Sequence, residues 1–186
     1  MSEQTQILLI RHGQSEGNAE GRFGGHSATP LSLRGKKEAA AVAQALGKAG
    51  VTAIYSSDLP RAVSTAEPLA RVTKLKIVQT AAFRERHVGR MEGLTFEEAA
   101  ELHPEDYAAL LERDFEHILL GGESYRQMLG RAADALDRAV DRHRGGTIAV
   151  FTHTGTICIL ALHLMGALNA PTLRPSMHCV ATNNFN

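Results

Sequence analysis

The chain reads as a three-layer α/β/α protein, a mostly parallel sheet flanked by helices, with a helical excursion after the third strand. Three observations predict this class. Short apolar runs of strand length, beginning with "QILLI", alternate with helical segments along the first eighty residues. The resulting order, β-α-β-α-β, is that of a parallel sheet with right-handed crossovers. Finally, 186 residues that are 44% hydrophobic are enough for one ample core, so residues 1–186 are expected to form a single domain.

The elements follow in order. "QILLI" is continuously apolar, the pattern of a strand covered on both faces. Ser32 can cap a helix through "LRGKKEAAAVAQALGKAG", with Val42 and Leu46 four apart on one face and Gly50 as the stop. "VTAIYSS" is the second strand. "DLPRAVSTAEPLARV" is the next helix, with Asp58 as its cap and Pro60 in the first turn, and Pro68 should kink or divide it. "LKIVQT" is the third strand. Residues 90–145 then change character, with charged amphipathic segments around "TFEEAAEL", "EDYAALLERDF" and "GESYRQMLGRAADALDRAVDRHR", and no convincing strand. They are expected to leave the sheet as a helical excursion. "GTIAVFTH" returns to the sheet. "TGTICILALHLMGAL" is too short to span a bilayer, carries His163 and reads as a buried helix. "MHCVAT" is expected to add a last strand at an edge.

Composition narrows the function. Lys+Arg and Asp+Glu number twenty each, so no global field draws the chain to nucleic acid or to an anionic membrane. Fifteen of the twenty cations are arginines, the side chain suited to forked contacts with phosphate or carboxylate. Cys158 and Cys179 show no metal or redox spacing. "MSEQTQ" lacks the positive n-region of a signal peptide, and a reducing, cytoplasmic setting fits both features.

In open α/β sheets, ligands bind beyond the carboxyl ends of the strands. Three such ends are unusual: "ILLI-RHG", "AIYSSDLPRA" and "IAVFTHTG". Singly, a histidine there is most often structural and an arginine solvated. Together they assemble Arg11, His12, Arg61 and His153 at one sheet edge. The arginines suit a phosphate's oxygens, and backbone N–H groups after Gly13 and at the helix following His153 add dipolar stabilisation. Flanking cations also keep an imidazole neutral, so His12 can attack phosphorus without a metal. The leaving alkoxide needs a proton, for which "FRERHVGRMEG" offers Glu85 and Glu92. Glu85 lies nearer the strand end, although ion pairs with Arg84 or Arg86 explain it equally well from sequence. A carboxyl beside a bound dianion stays protonated more readily, which suits a general acid.

In this order and spacing, "LLIRHGQSEGN", "TPLSLRGKKEA", "IYSSDLPRAVSTAEPLA", "FRERHVGRMEGLTFEE", "GGESYRQMLGR" and "VFTHTGTI" resemble the histidine phosphatase superfamily, the phosphoglycerate mutase-like enzymes. The resemblance implies that His12 is the phosphorylated nucleophile and Glu85 the proton donor. It makes Arg11, Arg61 and His153 the rest of the phosphate site, with Asn18 and Thr154 as further contacts. Gly122, Glu123 and Ser124 match a recurrent helix start in which Glu123 is chiefly architectural. Gln14-Ser15 replaces the Glu-Thr of many relatives, and Ser27-Ala28-Thr29 stand where an aspartate often precedes Pro-Leu. The ending "NNFN" falls where relatives usually complete a strand.

The stretch from Glu85 to His153 is compact, whereas mutases of this type carry a longer one that encloses the intermediate. Water should therefore reach a phosphohistidine, which favours a phosphomonoester hydrolase over a cofactor-dependent phosphoglycerate mutase. A non-catalytic phospholigand sensor would be expected to lack His12 or Glu85. A metallohydrolase is disfavoured by the flanking arginines and the absence of HxH or HExxH spacing. No cofactor or metal is expected. The expected partner is a small phosphomonoester, with a homodimer left open. Arg22, Phe23, His26, Arg86 and His87 are candidate rim residues for the substrate.

Overall fold

The computed structural model describes residues 4–166. Its elements are β1 (Gln6–Arg11), α1 (Glu16–Ala19), α2 (Leu33–Leu46), β2 (Val51–Ser57), α3 (Pro60–Thr73), β3 (Ile77–Thr80), α4 (Phe96–Leu102), α5 (Pro104–Glu112), α6 (Tyr125–Arg142), β4 (Thr147–Thr152) and α7 (Thr154–Leu164). The four strands pair in parallel in the order β1-β4-β2-β3. β4 thus inserts between β1 and β2.

Strand alternation divides the interior into two cores. Ile148 and Val150 of β4 join Met128, Leu129, Ala132, Ala133 and Leu136 of α6 and Ile159 and Leu160 of α7. Ala149 and Phe151 face the other way, onto Val42 and Ala43 of α2 and Ala66 and Leu69 of α3. The predicted three layers follow from this. β1 touches both cores, through Ile7 and Leu9 on one side and Ile10 on the other. It is nevertheless only half-buried, because among the described residues it lies at a sheet edge.

Several expectations change in detail. Ser32 caps α2 by accepting the Gly35 N–H at 3.1 Å, but the helix ends at Leu46 and Gly47 is its C-cap. Residues 47–50 instead form the turn into β2, and Gly50 adopts φ 67, open to glycine at little cost. α3 runs undivided through Pro68, since Ala62, Ala66 and Leu69 bury the same face on both sides of it. Its N-cap is Leu59, without a side-chain cap bond, because Asp58 is engaged in a two-pronged pair with Arg84 at 2.6 Å. That pairing holds Asp58 below the usual carboxylate range.

The excursion is shorter than expected. α4 and α5 leave the sheet and enclose a third cluster of Val88, Met91, Ala99 and Leu119. α6 does not leave it, for its apolar stripe packs on the sheet as the crossover helix into β4. α7 buries Thr156, Ile159, Leu160 and Leu162, yet Leu164 is half-exposed, so the helix is buried along one face. The strand expected at "MHCVAT" lies outside the described residues.

Candidate active site

Strand register brings the two histidines together. Arg11 pairs with Thr152, and the His12 N–H donates to the Thr152 carbonyl at 2.9 Å. His12 and His153 therefore leave neighbouring strands side by side, with ring centroids 5.0 Å apart and planes tilted by 60°. Arg61 reaches the same point from the first turn of α3, its Nε 3.3 Å from His12 Nε2.

His12 is almost sealed from solvent. Its Nδ1 lies 2.7 Å from the Gly13 carbonyl, which can only accept, so Nδ1 carries the proton. Nε2 then carries the lone pair, which accepts the Arg61 Nε–H. Burial, Arg61 and Arg11 together lower the pKa to about 3, against a bond to Gly13 that raises it. His12 is neutral at physiological pH.

The two arginines differ in their commitments. Arg61 donates NH1 to the Ser27 carbonyl and NH2 to the Gly25 carbonyl, both at 2.7 Å. Its fork, expected to face phosphate, is occupied by the loop that follows α1. Burial lowers the Arg61 pKa, opposed by the carboxylates of Glu85 and Glu92. Arg11 has a buried Nε without a hydrogen-bond partner, as has His153 at Nδ1. Two orphaned buried nitrogens beside a neutral imidazole are where an anion would be received.

Glu85 completes the set through α7. Its Oε2 accepts the Gly155 N–H at 3.0 Å, and its Oε1 accepts the Arg86 N–H at 2.9 Å. A carboxylate at a helix N-terminus is favoured by the helix dipole. Gly155 leaves room for this carboxylate, since a Cβ would stand 2.4 Å from Glu85 Oε1 and displace it. The backbone around Glu85 is held by Arg131, which donates to the carbonyls of Ala82, Arg84 and Glu85 at 2.8 Å each. Arg131 also pairs with Glu123. Burial pushes the Glu123 pKa up, but Arg131 and the His87 N–H outweigh it and hold it below the ordinary range.

Other expected residues take different places. Gly13 faces protein backbone, for a Cβ there would meet the Gly35 carbonyl at 2.5 Å. Asn18 closes a capping box with Ser15 through its Oδ1. Thr154 is the first residue of α7 and lines a cleft of about 200 Å³ with Tyr125, Phe115 and Arg113. Arg22 bonds Glu20 and the Gly93 carbonyl, and Phe23 packs edge-on against Phe96. Neither contacts His12, Arg61 or Glu85 among the described residues.

Of the remaining rim candidates, His26 is drawn in, its Nε2 donating to the Glu85 carbonyl at 2.9 Å. Its ring meets that of His87 edge-on, and its N–H donates to Glu92. Arg86 is buried, lies over the Tyr125 ring and donates to the Glu123 carbonyl. Glu92, the alternative acid, is thus a loop anchor.

Sequence reading missed Ser57, Thr65, Gly35, Gly155 and Arg131. Thr65 Oγ1 accepts the Gly13 N–H at 3.0 Å and donates to the Arg61 carbonyl at 2.6 Å, linking the strand end to α3. Its position four after Arg61 was a readable signal. The others answer to distances between segments far apart in the chain, which leave no trace in spacing. Among the described residues, no group of three or more His, Cys, Asp and Glu could hold a metal ion.

Comparison with known proteins bears on this geometry. A family model described as histidine phosphatase superfamily (branch 1) matches residues 7–184. A protein of Arabidopsis thaliana named metal-independent phosphoserine phosphatase is 39% identical over 176 residues, covering 92% of this chain and 74% of its own. Phosphoserine phosphatase 1 of Hydrogenobacter thermophilus is 33% identical, covering 87% of this chain and 76% of its own. Among solved structures, Bacillus stearothermophilus YhfR superposes with a TM-score of 0.83 at 29% identity, over 88% of this chain and 81% of that one. A mycobacterial glucosyl-3-phosphoglycerate phosphatase in complex with VO3 gives 0.79 at 31% identity, over 86% and 80%.

Proposed function

This chain belongs to the histidine phosphatase superfamily, and from that premise we propose that it hydrolyses small phosphomonoesters through a phosphohistidine formed on His12. It is a phosphatase, as its similarity to proteins of that activity across most of their length indicates. The family match spans nearly the whole sequence, which supports reading residues 1–186 as one such domain. No helix among the described residues is long and apolar enough to cross a membrane. A cytoplasmic setting belongs to the proposal and rests on cysteine usage.

The observation that carries the mechanism is the state of His12: neutral, with its proton on Nδ1 and its lone pair on Nε2, held toward the Arg61 Nε–H at 3.3 Å. In the first step Nε2 attacks phosphorus while the ester P–O bond breaks. Glu85, which takes up a proton when the phosphate dianion binds beside it, delivers that proton to the departing alkoxide. In the second step water attacks the phosphohistidine, Glu85 takes its proton, and the P–N bond breaks to release phosphate and neutral His12. Arg11, His153 and the Nε of Arg61 hold the phosphoryl oxygens while the Arg61 fork keeps the Gly25–Ser27 loop, and these donors strengthen as charge builds in the transition state. Asn18, Thr154 and the backbone at Gly13 are assigned the periphery of the same site, and Arg22 and Phe23 the outer loop.

The test is chemical trapping. Acid-labile, alkali-stable phosphate should appear on the wild-type protein during turnover of p-nitrophenyl phosphate, and not on His12→Ala. Turnover should fall by about 10⁴-fold or more in that variant. Activity should persist in EDTA, and its loss there would favour a metal mechanism instead. Incubating 3-phosphoglycerate with 2,3-bisphosphoglycerate separates hydrolysis from mutase transfer, since only the former releases phosphate stoichiometrically.

A further inference from the structure

We infer that Ser57 is a positioning residue that fixes the tautomer of His153, so that His153 presents an N–H at Nδ1 to the phosphoryl group held beside His12. The inference rests on the phosphatase reading above and adds to it a residue outside the four strand-end side chains.

The argument is one of hydrogen-bond accounting. Ser57 ends β2 and His153 follows β4, the neighbouring strand, and both are fully buried. Ser57 Oγ and His153 Nε2 are 2.8 Å apart. The hydroxyl has one hydrogen to donate and two lone pairs with which to accept. One lone pair takes the Leu59 N–H at 3.3 Å. His153 Nε2 is the one acceptor within reach of the hydroxyl hydrogen among the described residues. Were Nε2 itself protonated, the hydroxyl hydrogen would be left buried without an acceptor, a costly arrangement.

Ser57 therefore donates and Nε2 accepts. A neutral imidazole accepting at Nε2 carries its proton on Nδ1. His153 is neutral here, since burial first, and after it the neighbouring His12 ring and the charge of Arg61, hold its pKa well below the ordinary histidine value.

The consequence lies at the other nitrogen. His153 Nδ1 is buried without a partner, on a ring centred 5.0 Å from that of His12. With the proton there, it is a desolvated donor beside the nucleophile, complementary to a phosphoryl oxygen. With the other tautomer it would face that oxygen with a lone pair, and repel it. A neutral His153 can serve as a ligand only in the state that Ser57 selects.

The tautomer can be read directly. Long-range ¹H–¹⁵N spectra of histidine-labelled wild-type protein, with the His153 signals assigned by their loss in His153→Gln, should show Nδ1 protonated and Nε2 not. Ser57→Ala should move the signals toward the Nε2–H form and lower kcat/KM for p-nitrophenyl phosphate by about 10- to 100-fold, with vanadate inhibition weakened in proportion. Ser57→Thr, which keeps the hydroxyl, should recover activity to within about threefold. An Nε2–H tautomer in the wild type overturns the inference, and that spectrum needs neither a Ser57 variant nor turnover. A folded Ser57→Ala protein with unchanged tautomer or with full activity overturns it too, as does a folded Ser57→Thr that recovers nothing. If the wild type forms no phosphohistidine, the phosphatase mechanism fails instead, whatever the tautomer.

Discussion

Replacing Gly155 by alanine tests how the acid is placed. The added Cβ would lie 2.4 Å from Glu85 Oε1, 3.2 Å from its Cδ and 3.4 Å from Oε2. The carboxyl is the far end of a flexible side chain, so it yields rather than the backbone of α7. To restore ordinary contact, Oε1 must retreat by about 1 Å, and a displacement of that size in a reacting group costs on the order of 100-fold in rate. The bond from the Arg86 N–H to Oε1, 2.9 Å long, would be broken by the same movement. Stability should change little, since alanine favours a helix over glycine by about 0.5–1 kcal/mol, against some overpacking.

The assay compares two leaving groups. An alkyl phosphate needs a proton on its alkoxide, whereas p-nitrophenolate departs without one. kcat/KM for the alkyl ester should fall about 100-fold in Gly155→Ala, and for p-nitrophenyl phosphate only a few-fold. Equal losses on both esters would refute the reasoning, since they would mean that the methyl disturbs phosphate binding or the nucleophile rather than the acid. No loss on either would mean that Glu85 is not the acid.

Other consequences follow from the same geometry. His12 has its pKa depressed in the folded state, so the unfolded chain binds a proton that the native one refuses, and stability is lost as pH falls from about 6.5 toward about 3. Between pH 7.5 and 5 the His12 share of that loss is about 2 kcal/mol, and urea unfolding of His12→Asn should show a dependence flatter by that amount. Over the same interval the activity of the wild type should show no rising limb from His12. Gly13→Ala should destabilise by about 2–3 kcal/mol, because its methyl would meet the rigid Gly35 carbonyl at 2.5 Å; thermal unfolding measures this. Arg131→Met removes three carbonyl contacts and leaves Glu123 without its cation, and should cost about 3 kcal/mol in stability while lowering kcat more than it raises KM.

Much of the architecture was legible because it rests on local pattern. Continuous apolar runs, the Ser32 cap and the stripe of α6 each state their own conformation over a few residues. Where local cues competed with distant ones, reading failed. Asp58 looks like a helix cap, but Arg84, twenty-six residues on, draws it away. Pro68 looks like a break, but its helix is held flat on the sheet by neighbours on both sides. α6 looked like part of the excursion because nothing in its own pattern says which surface its apolar stripe will meet.

The site divides in the same way. Arg11, His12, Arg61 and His153 were named by residue type at strand ends, since chemistry that needs a nucleophile and cations must draw on few side chains, whereas for Glu85 ion pairing read equally well until the family resemblance favoured the acid. Their partners were not, because Ser57 to His153, Gly155 to Glu85 and Gly13 to Gly35 meet across dozens of residues through fitted distances. The sequence by itself determined the order of strands and helices and the layers, and named the candidate reacting groups, from periodicity, residue type and family resemblance. Only the tertiary structure decided that β4 lies between β1 and β2, that Arg61 grips the Gly25–Ser27 loop, and which hydroxyl faces His153, because each depends on which distant segments pack together.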